Sequence, residues 1–478
     1  EEQLARMVEL RRQSGQGAFW VHLFGDAGVG KTRFLTELAE KAAAEGDLVV
    51  GAGAHATGAP VPYSSIQTVL CQLLQADESE LARMASQGDT TGEPLAAAGL
   101  AEVVKPSGLL GAGGRARTGA VAEALVRAIK EVRGRSSNGR VMLLIDDLPH
   151  CDGLTRQTLV ELTRALGSEP VLLVTAGDDG PVSDAAEQVE LGGFAPEEAE
   201  RFLRGSAELQ LVSRLAEICE TANGQLLPLH LEQLEALGAA AARDDDSLPR
   251  LADAIIQRTE RLSVEAGRLL QAAAVLGWRT ELDVLRSVAG NEELEGLDEL
   301  ARESLVQLDG TRLDIVHPFI AELVQASIPA EARKELHRRA YGVMTERRAP
   351  EEVRAAHAFH AGEPMTGLVL LEQTGDGAME RGDHSGAVLA YQRALELARR
   401  SALESGDIGL DQAISTFSRK LAEALARSGD PAGADGVLRE ALDLTAPKSP
   451  ERAKMLLSLG RIAGRRDRPR DAMRHFGR

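Results

Sequence analysis

The stretch GDAGVGKT, Gly25 to Thr32, decides how this chain folds: an apolar run, Phe19 to Phe24, feeds it and a helix-forming run, Arg33 to Glu45, follows it. The spacing G-x-x-x-x-G-K-T is that of a phosphate-binding loop. Glycines at 25, 28 and 30 permit a tight path that turns successive backbone N–H groups toward one point. Gly25, Asp26, Ala27, Gly28, Val29, Gly30, Lys31, Thr32 and Arg33 are therefore the expected nucleotide-binding set. Within it Lys31 can reach the β- and γ-phosphates and the Thr32 hydroxyl can ligate Mg²⁺. The positive end of the following helix favours the added negative charge.

A phosphate loop alone does not separate a kinase from a switch, so a second acidic element carries more weight. It lies in VMLLIDDL, Val141 to Leu148. Five apolar residues predict a buried parallel strand, and Asp146 at its carboxyl end is where a carboxylate would hold Mg²⁺ through water. Asp147 beside it is placed to orient an attacking water; the competing reading is an ordinary strand-end turn residue. Lys31 and Asp147 are thus the expected catalytic residues, and Thr32 and Asp146 the expected metal residues.

The 478 residues suffice for three or four domains with large cores. Aromatic residues make up 3% while alanine, leucine and arginine abound, which predicts a mostly helical protein. Fifty-four basic against seventy-three acidic residues leave a net charge of −19, which argues against broad nucleic-acid or anionic-membrane binding. Cys71, Cys151 and Cys219 have neither paired nor metal-ligand spacing, so a reducing, cytoplasmic setting is expected. No apolar stretch approaches a membrane-spanning length and no basic-then-apolar signal opens the chain. The start at Glu1 without Met, and the stop at Arg478 inside a helical pattern, are what a piece of a longer protein would present.

Along the chain, Glu1 to Gln13 reads as an amphipathic helix. Strand-like runs follow at Phe19 to Phe24, Leu48 to Ala52, Val141 to Asp146, Val171 to Ala176 and Val189 to Leu191, alternating with helical patterns, which predicts a parallel sheet with its ligand at the strands' carboxyl ends. Between His55 and Arg140 the Gly/Ala/Pro-rich part, Gly88 to Gly114, reads as loop, and Thr118 to Arg133 as helix. Ala195 to Leu237 is helical in pattern; Ala239 to Pro249, AAAARDDDSLP, reads as a boundary. Helices are expected over Ala252 to Arg261, Val264 to Leu276, Thr280 to Val288 and Leu294 to Glu303. Leu305 to Leu308 and Leu313 to Val316 form a predicted hairpin across Asp309 to Arg312, which completes a winged-helix arrangement. After Pro329 the chain is helical, with a weak repeat: Gly382, Asp383, Ala387, Ala394 and Leu395 recur 47 residues later as Gly429, Asp430, Ala434, Ala441 and Leu442, and residues 466–476 are a candidate third copy.

GDAGVGKTRFLTELA (25–39), PVPYSSI (60–66), LLIDDLPHCD (143–152), PLHLEQL (228–234), LQAAAVLG (270–277) and VHPFIAELV (316–324) occur here in an order that resembles the STAND class of signal-transduction ATPases, in the branch where an AAA-like ATPase module precedes tetratricopeptide-like repeats. The resemblance covers nearly the whole chain. It implies a multidomain α/β plus all-α fold: a parallel-sheet P-loop NTPase core (1–194), a helical lid (195–248), a winged helix (249–330) and a C-terminal TPR-like α-solenoid (331–478). It also implies ATP/ADP with Mg²⁺ as cofactors and a nucleotide-dependent switch rather than a metabolic enzyme. In that family a proline after a Gly-Asn pair in the lid touches the adenine; here Pro228 follows Gly224 with three residues between, a displaced match. His317 resembles the winged-helix histidine that contacts bound ADP, the competing reading being a core or helix-capping histidine. Family members tend to carry a γ-phosphate-sensing arginine after the fourth strand, where this chain reads VTAGDDG with Gly177 at that point. Such arginines change turnover by roughly 10³ to 10⁵-fold in related NTPases, so the expectation is weak hydrolysis, or an arginine supplied by another segment or by self-association. A protein partner is expected on the repeats; direct nucleic-acid binding and membrane binding are not. The alternative reading is an interaction scaffold that holds nucleotide as structural glue.

Overall fold

In the computed structural model, residues 2–477 are described apart from 14–16, 55–58, 89–92, 107–113, 179–185, 205–208, 213–217, 220–225, 238–248, 278, 292, 406–408, 446–447 and 467. Strands β1 (Phe19–Phe24), β2 (Leu48–Ala52), β3 (Val141–Ile145), β4 (Val171–Gly177) and β5 (Glu187–Glu190) form a parallel sheet of order β2-β3-β4-β1-β5. Because β4 lies between β1 and β3, the loop leaving β1 and the acids leaving β3 both open beside the end of β4. Both faces of the sheet are covered, which is why these strands read as continuous apolar runs. On one face Val21, Leu23, Met142, Leu144, Leu172 and Val174 pack with Leu4, Met7, Leu35 and Leu38 of helices α1 (Glu2–Gln13) and α2 (Lys31–Ala44). On the other, Trp20, Leu143, Ile145 and Leu173 pack under α3 (Ser64–Leu74), α4 (Glu78–Ser86), α5 (Pro94–Val104), α6 (Gly114–Val132) and α7 (Gly153–Leu166).

Helix α5 corrects the loop expected over Gly88 to Gly114. Pro94 starts it, and a Cβ on Gly99 would lie 1.9 Å from the Ala120 carbonyl oxygen, so the small residues here serve close packing of α5 on α6. Composition alone cannot tell such a close-packed helix from a loop. The flanking residues 89–92 and 107–113 lie outside the described residues, as does nearly all of the boundary expected at Ala239 to Pro249.

Beyond the sheet come α8 (Pro196–Arg204), α9 (Leu209–Val212), α10 (Pro228–Leu237), α11 (Leu251–Thr259), α12 (Val264–Leu276), strand β6 (Arg279–Glu281), α13 (Leu282–Ala289), α14 (Leu297–Arg302), β7 (Val306–Asp309), β8 (Arg312–Ile315) and α15 (Pro318–Ser327). The expected helix from Thr280 begins instead as β6, which pairs antiparallel with β8 and buries Thr280 beside Leu313. The hairpin is tighter than expected, since Asp309 pairs with Arg312 and only Gly310, in the left-handed region at φ 58°, and Thr311 form the loop. Leu294 precedes rather than joins α14, because Gly296 sits against Ala266, where a Cβ would come within 2.5 Å of backbone.

Helices α16 (Ala330–Glu346), α17 (Glu351–Ala361), α18 (Pro364–Arg381), α19 (His384–Ser405), α20 (Gly409–Ser428), α21 (Pro431–Leu444), α22 (Pro450–Arg465) and α23 (Pro469–Phe476) stack as an array. The sequence repeat has a physical basis: Asp383 and Asp430 each cap the next helix, accepting from the amides of Gly386 (3.0 Å) and Gly433 (2.8 Å). The third copy lacks this cap, since Arg468 stands before α23 with no side-chain bond. The fold is α/β followed by all-α, built on a parallel-sheet P-loop core.

Candidate functional site

The loop from Gly25 to Gly30 joins β1 to α2, with Gly28 (φ 84°) and Gly30 (φ 96°) in the left-handed region that a side chain would strain. Val29 is buried and its amide closes a turn on the Asp26 carbonyl at 3.2 Å, while Asp26 and Ala27 are exposed. No side chain caps α2. The first amides of that helix, at Lys31, Thr32 and Arg33, have no intrahelical acceptor and so remain available to an anion.

Lys31 Nζ donates to the carbonyls of Gly25 (2.7 Å) and Asp26 (3.1 Å), and pairs with the Asp178 carboxylate just past β4. The Thr32 hydroxyl donates to Asp146 Oδ2 at 2.6 Å, so the two expected metal residues, 114 positions apart, meet directly. Burial raises the Asp146 carboxyl above its usual range, against the lowering pull of Thr32 and of the Asp147 amide, which donates to Asp146 Oδ1 at 2.9 Å. Asp147 sits in the left-handed region at φ 55° and accepts His150 Nδ1 at 2.6 Å, which holds the His150 imidazole above its ordinary pKa.

A second helix closes on this loop. The Leu229 amide, in the first turn of α10, donates to the Gly28 carbonyl at 3.2 Å, and its side chain lies where a Cβ on Gly28 would approach within 3.1 Å. Pro228 stands before it, its Cγ 4.0 Å from the position of a Cβ on Gly30, while Arg33 and Glu232 form an ion pair at 3.5 Å. The displaced proline is therefore placed against the phosphate loop. His317 caps α15, its Nδ1 accepting the Phe319 amide at 3.1 Å. The capping role left open in the sequence for this ring is thus observed. Burial, with Lys31 adding to it, lowers its pKa to about 4 against the opposite pull of Asp178 and Asp147. At neutral pH the ring is uncharged, and since Nδ1 accepts, its proton sits on Nε2.

Gly177 could not carry the sensing arginine in this packing, because a Cβ there would lie 2.5 Å from Pro149 Cδ. Sequence reasoning missed the contacts of Asp178, His150, Leu229 and Glu232. The acids after β4 were visible as composition, but their pairing with a lysine 147 positions away was not. The donor set fits a nucleotide with Mg²⁺: an uncapped helix start and glycine loop for phosphates, and a hydroxyl and carboxylate already in contact for a hard cation. Among the described residues no group of three or more His, Cys, Asp or Glu is placed to hold a metal, and no helix is long and apolar enough to cross a membrane.

Residues 1–174 match the family model of the AAA ATPase domain. No curated protein sequence matches the chain. Among solved structures the chain is similar to a Pyrococcus horikoshii signal-transduction ATPase with numerous domains (STAND) and a tetratricopeptide repeat sensor, at 14% identity over 98% of this chain and 75% of that one, with a TM-score of 0.49. It is also similar to AMPPCP-bound DnaA from Aquifex aeolicus (12% identity, 81% and 92% covered, TM-score 0.26) and to a Thermotoga maritima RuvB (13%, 69% and 94%, 0.26). At these scores no residue role passes from those proteins to this one. The family match and the loop, sheet and acid geometry agree, and the chain therefore carries an AAA-type P-loop ATPase domain, with a long array of helices after it.

Proposed function

We propose that this protein is a STAND-type switch that adopts different domain arrangements with ADP and with ATP, and that its helical array binds a protein partner. The observation that carries this reading is that a helix about 200 positions further along the chain meets the phosphate loop, the Leu229 amide donating to the Gly28 carbonyl at 3.2 Å. The charges of Lys31, Asp178 and Asp147 also act on His317, from further still along the chain. A ligand shifts a conformational equilibrium only through its differential affinity for the two states, so a distal module must touch the nucleotide site if it is to respond. In this reading residues 1–194 bind nucleotide, 195–248 form a lid, 249–330 a winged helix and 331–478 TPR-like repeats. When bound, Mg²⁺ would neutralise charge between the outer phosphates. Thr32 and Asp146, already in contact, would hold it, Lys31 would pair with the phosphates and Asp147 would orient water. Pro228 and His317 report on the loop from the lid and the winged helix. Hydrolysis is slow, as suits a switch without an arginine at Gly177, and nucleotide-dependent self-association is the route by which one could be supplied.

The test is to denature the purified chain, identify any released nucleotide, and follow exchange and phosphate release in wild type, Lys31→Ala, Asp147→Asn and His317→Ala. Bound ADP, slow exchange and a release rate several-fold faster in His317→Ala are expected. The scaffold reading, favoured by the Asp178 carboxylate on Lys31, predicts instead nucleotide that neither exchanges nor turns over and a His317→Ala variant indistinguishable from wild type.

A further inference from the structure

The carboxylate on Lys31 has a consequence beyond occupying a lysine. Asp178 follows β4, and β4 ends between the phosphate loop of β1 and the two aspartates of β3. It thus stands at the side of the loop where the outer phosphates of a bound nucleotide face the catalytic acids. The P-loop lysine serves the β- and γ-phosphates, and here its ammonium already has three oxygen partners, two of them loop carbonyls and the third the Asp178 carboxylate. The Lys31 side chain is largely buried at 13% exposure, whereas Asp178 is 56% exposed and free to swing into solvent. A diphosphate can take the amides of the α2 start and share Lys31 with this carboxylate. A third phosphate must replace it, bringing like charges together until the carboxylate leaves.

We propose that Asp178 is a specificity-determining residue that competes with the γ-phosphate for Lys31 and so biases the site toward nucleoside diphosphate over triphosphate. The proposal rests on the nucleotide-binding reading given above. It also assigns a direction to the switch: entry of a triphosphate displaces Asp178 from Lys31, in the neighbourhood of His317, whereas a diphosphate leaves the ion pair intact.

The experiment strips nucleotide from the full chain and measures dissociation constants for ADP and for a non-hydrolysable ATP analogue, with Mg²⁺, by calorimetry. Wild type, Asp178→Asn and Asp178→Glu are compared; exposure of Asp178 makes misfolding of either variant an unneeded concern, and circular dichroism checks it. Removing the charge is expected to shift the analogue-to-ADP affinity ratio toward the analogue by roughly two- to fivefold, the scale of a partly exposed charge pair. Asp178→Glu is expected to keep the wild-type ratio. Equal ratios in wild type and Asp178→Asn, with both nucleotides binding, overturn the proposal while leaving the nucleotide site standing. Failure of either nucleotide to bind any variant overturns both.

Discussion

Two copies of one local motif have opposite surroundings. Gly382-Asp383 and Gly429-Asp430 each end one helix with a left-handed glycine and start the next with an aspartate that caps a glycine amide. Asp430 is exposed. Asp383 is 1% exposed and lies against Gly153, where α7 begins, six residues after the proposed catalytic Asp147. Asp152 caps α7 through Thr155, at 2.9 Å to the amide and 2.6 Å to the hydroxyl, and is itself 2% exposed. Beside it the Arg117 guanidinium donates to the Glu380 carbonyl at 3.0 Å. The second copy therefore only starts a helix, whereas the first also seats the helical array on the ATPase domain. Cap chemistry is local and identical; what differs is whether another domain covers it.

Three perturbations would break or sharpen this contrast. The largest effect is expected from Gly153→Leu, because a Cβ there already falls 2.5 Å from Asp383 Oδ1 and 3.4 Å from Ser385 Cβ. Overpacking of this kind costs about 1–3 kcal/mol. Calorimetry should show the ATPase domain and the array melting apart, and a single unchanged transition would contradict the seam.

The next concerns pH. Burial pushes the Asp152 carboxyl up to about 6 and raises Asp383 as well, each carboxylate facing the other among Arg117, Arg156, Arg381 and His384. An acid whose folded pKa lies above its unfolded value binds more protons in the native state. Stability is therefore greatest below the unfolded pKa near 4 and declines as pH rises toward about 6. Asp383→Asn keeps an oxygen for the Gly386 amide but cannot ionise, so chemical denaturation of this variant should show a flatter decline with rising pH than wild type. A slope equal to that of wild type would mean that Asp383 does not titrate there.

The smallest effect belongs to the exposed copy. Asp430→Ala should cost about 0.5–1 kcal/mol, the ordinary worth of a helix cap, as read from chemical denaturation. A loss as large as that of Gly153→Leu would show that exposure does not separate the two copies.

Much of the local grammar of the chain was legible. Strands β1 to β4 lie where apolar runs lie, α2 starts at the end of GDAGVGKT, and the hairpin falls on its Asp-Gly signal. The errors were of one kind. Gly99 and its alanine neighbours resembled a loop because small residues serve both flexibility and close helix packing, and only the Ala120 backbone distinguishes the two. Thr280 resembled a helix start because a three-residue strand has no period of its own and exists through its partner β8.

By itself the sequence determined that Gly25 to Thr32 form a glycine loop between strand and helix and that Asp146 follows a buried strand, because loop curvature, strand burial and helix starts depend on neighbours within a few residues. Tertiary structure alone decided that Thr32 meets Asp146, that Asp178 attends Lys31, that Leu229 meets the loop it is so far from in sequence, and that Asp383 rather than Asp430 seats the array. These meetings join segments far apart in the chain through strand order and domain packing, and a periodic pattern along the chain records which face of an element is apolar but not which distant element will cover it.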